Sequence, residues 1–175
     1  MGKSVLANMT CPVARTLDVV GDAWTLMIVR ELFLGSRRFD EMAAQTGMSP
    51  HLLSVRLKKL VEAGLLSRKA YQERPARHAY RLTAKGRDLW PVVIALKQWG
   101  DRWGDWGADG PPLQLRHAGC GGHSSPSLVC SGCGEPVDAL TMVPELGAAM
   151  ASERAARAPS ANPGSTPCSD SPPSA

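Results

Sequence analysis

No stretch of this chain approaches the ~20 consecutive apolar residues that a membrane-spanning helix needs. The longest apolar run, Trp90 to Leu96, is far too short and contains Pro91. The first residues, Met-Gly-Lys-Ser-Val-Leu, lack the apolar stretch of a secretory signal, and Leu6 spoils the pattern for N-myristoylation. There is no nucleophile–base triad, no glycine-rich phosphate loop and no carboxylate pair, so the expectation is that the chain is not an enzyme. A protein that stays in the cytoplasm follows as the default. The 175 residues allow one ordinary core and an appendage, and 43% hydrophobic with 21% charged residues is the balance of a globular protein.

Charge is modest in total, +4, but unevenly placed. Between Ser49 and Arg87 stand ten lysines and arginines against two glutamates, a local net charge of +8. Beyond Gly107 the balance turns to −3. A basic block of this kind suits a polyanion. A solvated basic face is the plainer reading, but it does not account for what occupies the same residues.

Those residues read as two helices joined by a tight turn. Phe39 to Thr46 makes the first, with Asp40 placed to cap it and Gly47 to end it with a positive φ. Ser49 caps the second, Pro50 takes its first position, and Gly64 closes it. Leu53, Leu57 and Leu60 share one face of that helix; His51, Ser54, Val55, Lys58 and Glu62 share the other. This is a helix-turn-helix with a polar and basic open face. Next come a strand over 65–71, a polar turn over 72–77 and a returning strand over 78–82, a basic wing in which Tyr71 and Tyr80 pair across the ribbon or pack beneath it.

Upstream, Cys11-Pro12 opens a helix to about Val20, Gly21-Asp22 interrupts it, and Ala23 to Leu34 forms another that stops at Gly35. Ser36 to Phe39 is a short extended lead. Downstream, Thr83 caps a helix reaching about Trp103, which Pro91 kinks or splits. Its apolar stripe runs through Leu89, Val92 or Val93, Leu96, Trp99, Trp103 and Trp106, more than a small winged core can absorb. Part of it is core, and the surplus points to a homodimer interface.

Cysteines number five, at 11, 120, 130, 133 and 168. Cys130-x-x-Cys133-Gly and His117-x-x-Cys120-Gly have the same shape, two close pairs of the kind that hold zinc tetrahedrally. On this symmetry His117 is a better fourth ligand than His123. A segment so small and polar needs a metal staple to fold. A thiol–disulfide site is the rival, although the βαβ surroundings of a thioredoxin-like motif are absent; a vestigial metal-free loop is another. Cys168 sits in a tail rich in Ala, Ser and Pro. Cys11 stands at a helix entrance, where the helix dipole favours a thiolate, though a cysteine there is more often simply a small buried residue.

Cys11-Pro-Val, Gly21-Asp-Ala-Trp-Thr-Leu-Met-Ile-Val-Arg-Glu-Leu, Arg38-Phe-Asp-Glu-Met, Leu57-Lys-Lys-Leu-Val-Glu-Ala-Gly-Leu and Tyr80-Arg-Leu-Thr-Ala-Lys-Gly together resemble the HxlR family of bacterial winged helix-turn-helix regulators, relatives of the MarR group. The likeness covers roughly 11–103. It implies a homodimer that binds double-stranded operator DNA through paired recognition helices and wings, in the bacterial cytoplasm at the nucleoid. It also implies that Cys11 holds the position some members use to sense oxidants or electrophiles. The Cys/His segment resembles an extension that some members carry.

The expected architecture is therefore mainly α with a small β wing (α+β): a dimeric winged helix-turn-helix plus a zinc-knuckle-like segment. Its parts are a lead-in over 1–10, a DNA-binding and dimerisation domain over 11–106, a linker over 107–116, a zinc-ribbon-like segment over 117–140 and a mostly disordered tail over 141–175. Ser49, His51, Leu52, Ser54, Val55 and Arg56 are the candidates for the major groove, with Arg56 foremost for a guanine. Lys58 and Lys59 are phosphate contacts or simply solvated, and Arg74 and Arg77 reach the backbone or the minor groove from the wing. His117, Cys120, Cys130 and Cys133 are the candidate zinc ligands. The effector is not identified. Two rival functions are a thiol-redox or zinc protein centred on Cys130 and Cys133, and a winged helix that binds only protein.

Overall fold

The structure is a computed structural model that describes residues 4–74 and 76–158. Cys168 and the tail beyond 158 lie outside the described residues. In chain order the elements are α1 (Pro12–Val20), α2 (Ala23–Leu34), α3 (Phe39–Thr46), α4 (Pro50–Glu62), β1 (Leu66–Gln72), β2 (Arg77–Leu82), α5 (Ala84–Arg87), α6 (Trp90–Trp103) and α7 (Ala148–Arg157). Among the described residues no helix is long and apolar enough to cross a membrane.

Local chemistry sets most of the helix ends. Asp22 caps α2, its Oδ1 accepting from the N–H groups of Trp24 at 3.1 Å and Thr25 at 3.2 Å. Ser49 caps α4, its hydroxyl accepting from Leu52 N–H at 3.3 Å. Between α3 and α4 the chain turns at Gly47, whose φ of 69° is left-handed and open to glycine at little cost. The start of α3 differs from expectation. Asp40 lies inside the first turn, and the capping position is Arg38. Glu41 reaches back instead, its Oε2 accepting from the N–H groups of Arg37 and Arg38 at 2.8 and 2.9 Å. These two bonds favour the carboxylate and hold Glu41 below the usual glutamate pKa.

The core is the set of apolar faces these elements share. Ile28, Val29 and Leu32 from α2, Met42 from α3, Leu53, Leu57 and Leu60 from α4, and Leu65, Leu66 and Tyr80 from the wing base are buried together. β1 and β2 pair antiparallel, with Leu66 opposite Leu82 and Arg68 opposite Tyr80, and a bulge falls between Ala70 and Gln72. Tyr80 packs beneath the ribbon, whereas Tyr71 lies at the bulge under the Arg38 guanidinium, 5.0 Å from the ring centre. The lead into α3 joins the sheet by one bridge, Arg38 to Ala79.

Thr83 caps α5, and the helix breaks before Trp90, so that Pro91 falls in the first turn of α6, where its missing N–H costs nothing. α6 has two apolar faces. Leu89 and Ile94 are buried and Val93 packs on the core, while Val92, Leu96, Trp99 and Trp103 are exposed, the last two to 68% and 69%. Beyond α6 no residue from 111 to 143 is buried.

Residues 144–158 belong to a second unit. There the sequence reading expects no element, yet α7 forms. Its alanines are strong helix formers, and a Glu153–Arg157 pair one turn apart at 2.6 Å supports it.

Candidate nucleic-acid interface

Burial of Leu53, Leu57 and Leu60 fixes which side of α4 faces solvent. His51, Ser54, Val55, Lys58 and Lys59 are all exposed there, and Ser49 is exposed at the helix entrance. Leu52 is half-buried against the core. The open face is continuous with the wing. Ser54, Lys58, Glu62 and Arg68 line one groove of about 320 Å³ between α4 and the base of β1, floored by Leu57, Val61 and Tyr80. Arg74 and Arg77 are exposed at the wing tip and at the start of β2. The structure thus brings helix and wing together around a concave, basic junction. Arg68 is a member that sequence reasoning counted as charge but did not place. Its signal was the strand alternation, which puts it across from Tyr80.

Arg56 stands apart from this face. Its guanidinium pairs with Asp22, Nη2 to Oδ2 at 2.7 Å, and the side chain is only 23% exposed. The same aspartate caps α2 with its other oxygen. Arg56 is therefore spent on clamping α4 to the start of α2, and a guanine contact would require breaking that clamp. Lys58 has Glu62 one turn away at 3.9 Å.

Cys11 is half-buried at the entrance of α1, as its N-cap residue, and makes no side-chain capping bond.

The Cys/His segment forms two turns. In the first, His117 Nδ1 lies 3.4 Å from Cys120 Sγ. In the second, Cys130 Sγ accepts from Gly132 N–H at 3.4 Å. The N–H groups of Cys133 and Gly132, with the Cys133 side chain, hold the Cys130 thiol below its ordinary pKa. Among the described residues no three metal-ligating side chains converge on one point. Between the turns, Ser125 and the Pro126 carbonyl accept from the Gln98 amide of α6, the former at 2.8 Å.

A helix-turn-helix with an exposed polar helix, a basic antiparallel wing and a groove joining them defines a winged-helix DNA-binding protein. The model of HxlR-like helix-turn-helix proteins matches residues 19–107. The chain belongs to that family and is a DNA-binding transcriptional regulator. It is 47% identical over 135 residues to Rv3095 of Mycobacterium tuberculosis, an uncharacterized HTH-type transcriptional regulator, covering 77% of this chain and 85% of the relative. A match of that length runs past the winged helix into the Cys/His segment. It is 38% identical over 94 residues to sll1512 of Synechocystis, of the same description, covering 53% and 70%. Among solved structures, PA1607, described as a candidate transcription factor, superposes with a TM-score of 0.71 at 33% identity, covering 81% of this chain and 99% of that one. The oxidized form of HypR, described as a redox regulator, superposes at 0.50 with 33% identity, covering 54% and 99%.

Proposed function

We propose that the chain acts in the bacterial cytoplasm, at the nucleoid, as a homodimeric repressor that reads an inverted-repeat operator, and that it is not a catalyst. The observation that carries this reading is the groove shared by α4 and β1, which puts an exposed polar helix face beside a basic strand. His51, Ser54 and Val55, near the start of α4, meet base edges in the major groove. Ser49 fixes the helix entrance, and Leu52 backs it from the core side. Lys58, Lys59, Arg68, Arg74 and Arg77 hold phosphates on either side. Arg56 serves as a brace for the helix.

The dimer closes along α6. Val92, Leu96, Trp99 and Trp103 follow one another at the three- and four-residue spacing of a helix seam, and all four are exposed in the single chain. Two-fold symmetry then sets half-sites about one helical turn apart.

Cys11 is the candidate control point. Its half-buried place at the start of α1, and the likeness to a redox regulator, support oxidant or electrophile attack at this thiol.

A gel-shift series with the DNA upstream of the chain's own gene tests the reading, run at several salt concentrations. Substituting His51 and Ser54 with alanine should cost roughly 1–3 kcal/mol on the operator and little on unrelated DNA. Arg77→Ala should weaken binding to every sequence and reduce the salt slope by about 1. Equal loss of specificity from both sets would overturn the assignment, and a monomer by sedimentation would remove the operator symmetry. Alkylating Cys11 should change operator affinity, and Cys11→Ser should abolish that response.

A further inference from the structure

The Cys/His segment is a structural repeat. Moving along the chain from His117 to Cys130 reproduces one hydrogen-bond pattern at every step. His117 N–H donates to Gly122 O at 2.9 Å, as Cys130 N–H donates to Glu135 O at 2.8 Å. Gly121 N–H returns to His117 O at 2.8 Å, as Gly134 N–H returns to Cys130 O at 2.8 Å. Ser124 N–H reaches Leu115 O at 3.0 Å, as Val137 N–H reaches Leu128 O at 3.1 Å. Each turn is closed by an antiparallel bridge, Arg116 to His123 in one and Val129 to Pro136 in the other. Gly121 and Gly134 both take left-handed φ, 71° and 80°.

From this geometry we infer that His117, Cys120, Cys130 and Cys133 bind one zinc ion per chain, two ligands from each turn. The repeat decides between the histidines. His117 occupies the slot that Cys130 fills in the second turn, and its Nδ1 already faces Cys120 Sγ. His123 corresponds to Pro136, a bridge position with no ligand role. Three thiolates and one imidazole are a donor set that zinc prefers. On binding, the three thiols lose their protons to solvent and four metal–ligand bonds form. Each turn supplies two of the four ligands, and the ion closes one turn on the other. That is the cross-link a stretch without one buried side chain needs. The site is independent of the DNA-binding reading, and either stands if the other falls.

Elemental analysis of the full chain, purified with its thiols reduced, should find about one zinc per chain. Cobalt(II) in its place should show the charge-transfer absorption of thiolate coordination. His117→Ala and Cys133→Ser should each weaken zinc binding at least ~100-fold, beyond the 10–100-fold typical of an outer partner. His123→Ala should bind as the parent does. His117→Cys should still hold one metal, because the equivalent slot already works as a cysteine; helical content by circular dichroism shows that each variant is folded. Absence of metal, a Cys130–Cys133 disulfide in its place, or equal loss from His117→Ala and His123→Ala overturns the inference.

Discussion

The winged helix and the Cys/His segment occupy one chain but are made in different ways. Residues 12–103 bury Ile28, Val29, Leu32, Met42, Leu53, Leu57 and Leu60 almost completely, so burial of apolar surface decides their arrangement. Residues 111–143 contain no fully buried residue and are shaped by backbone hydrogen bonds around two glycine turns. The first kind of structure tolerates much surface change and collapses when its core is cut. The second has little apolar burial to lose, and its shape rests on those backbone hydrogen bonds. The difference predicts that the winged helix and the appendage fail under different insults.

The sharpest way to break this contrast is Leu57→Ala. Removing a side chain that is 1% exposed should cost about 2–5 kcal/mol in urea denaturation followed by circular dichroism. Cys133→Ser should leave that transition in place; a comparable loss there would show that the two regions share one core. Next in size is Arg56→Ala, which leaves the partly buried Asp22 carboxylate without its cation. We expect a loss of about 1–2 kcal/mol, discounted for the exposure of both partners, with weaker binding to all DNA rather than relaxed specificity. Selective loss at a single operator base pair would instead return Arg56 to the groove.

Ser49→Ala should cost about 1 kcal/mol, because one N–H at the start of α4 loses its acceptor, while Ser49→Gly should cost only a few tenths. The smallest effect is electrostatic and lies with Glu41. Its folded pKa is depressed by the N–H groups of Arg37 and Arg38, so its contribution is present above the ordinary glutamate range and is lost as pH falls through the lower folded value. Melting temperature measured against pH should fall less steeply in acid for Glu41→Gln than for the parent.

The parts legible in the sequence were those whose causes are local. Asp22-Ala-Trp, Gly35, Gly47 and Ser49-Pro50 carry their own capping or turn chemistry, and Leu53, Leu57 and Leu60 declare a buried face by spacing alone. The α6 stripe was legible as an excess, but the sequence could not divide it. Only packing shows that Val93 and Ile94 turn inward while Val92, Leu96, Trp99 and Trp103 stay outside. The pairing of Arg56 with Asp22 was hidden for the same reason. The two lie 34 residues apart, and nothing near Arg56 in the sequence signals that Asp22 folds against it. Arg68 reaches the groove only through the register of β1 with β2. The start of α3 went to Asp40 in the sequence because aspartate is a good cap, whereas Glu41, at the third position, reaches two N–H groups at once.

One aspartate has an electrostatic consequence. By holding Arg56, Asp22 removes a positive charge from the reading helix, and Glu62 tempers Lys58, so most of the pull on a polyanion comes from Arg68, Lys69, Arg74, Arg77 and Arg81 of the wing. Charge of this kind attracts any duplex without regard to sequence. On the proposed reading, the wing supplies the sequence-independent attraction and His51 and Ser54 supply the discrimination. The ion pair that steadies the helix thus also lowers the positive charge that α4 presents to a polyanion.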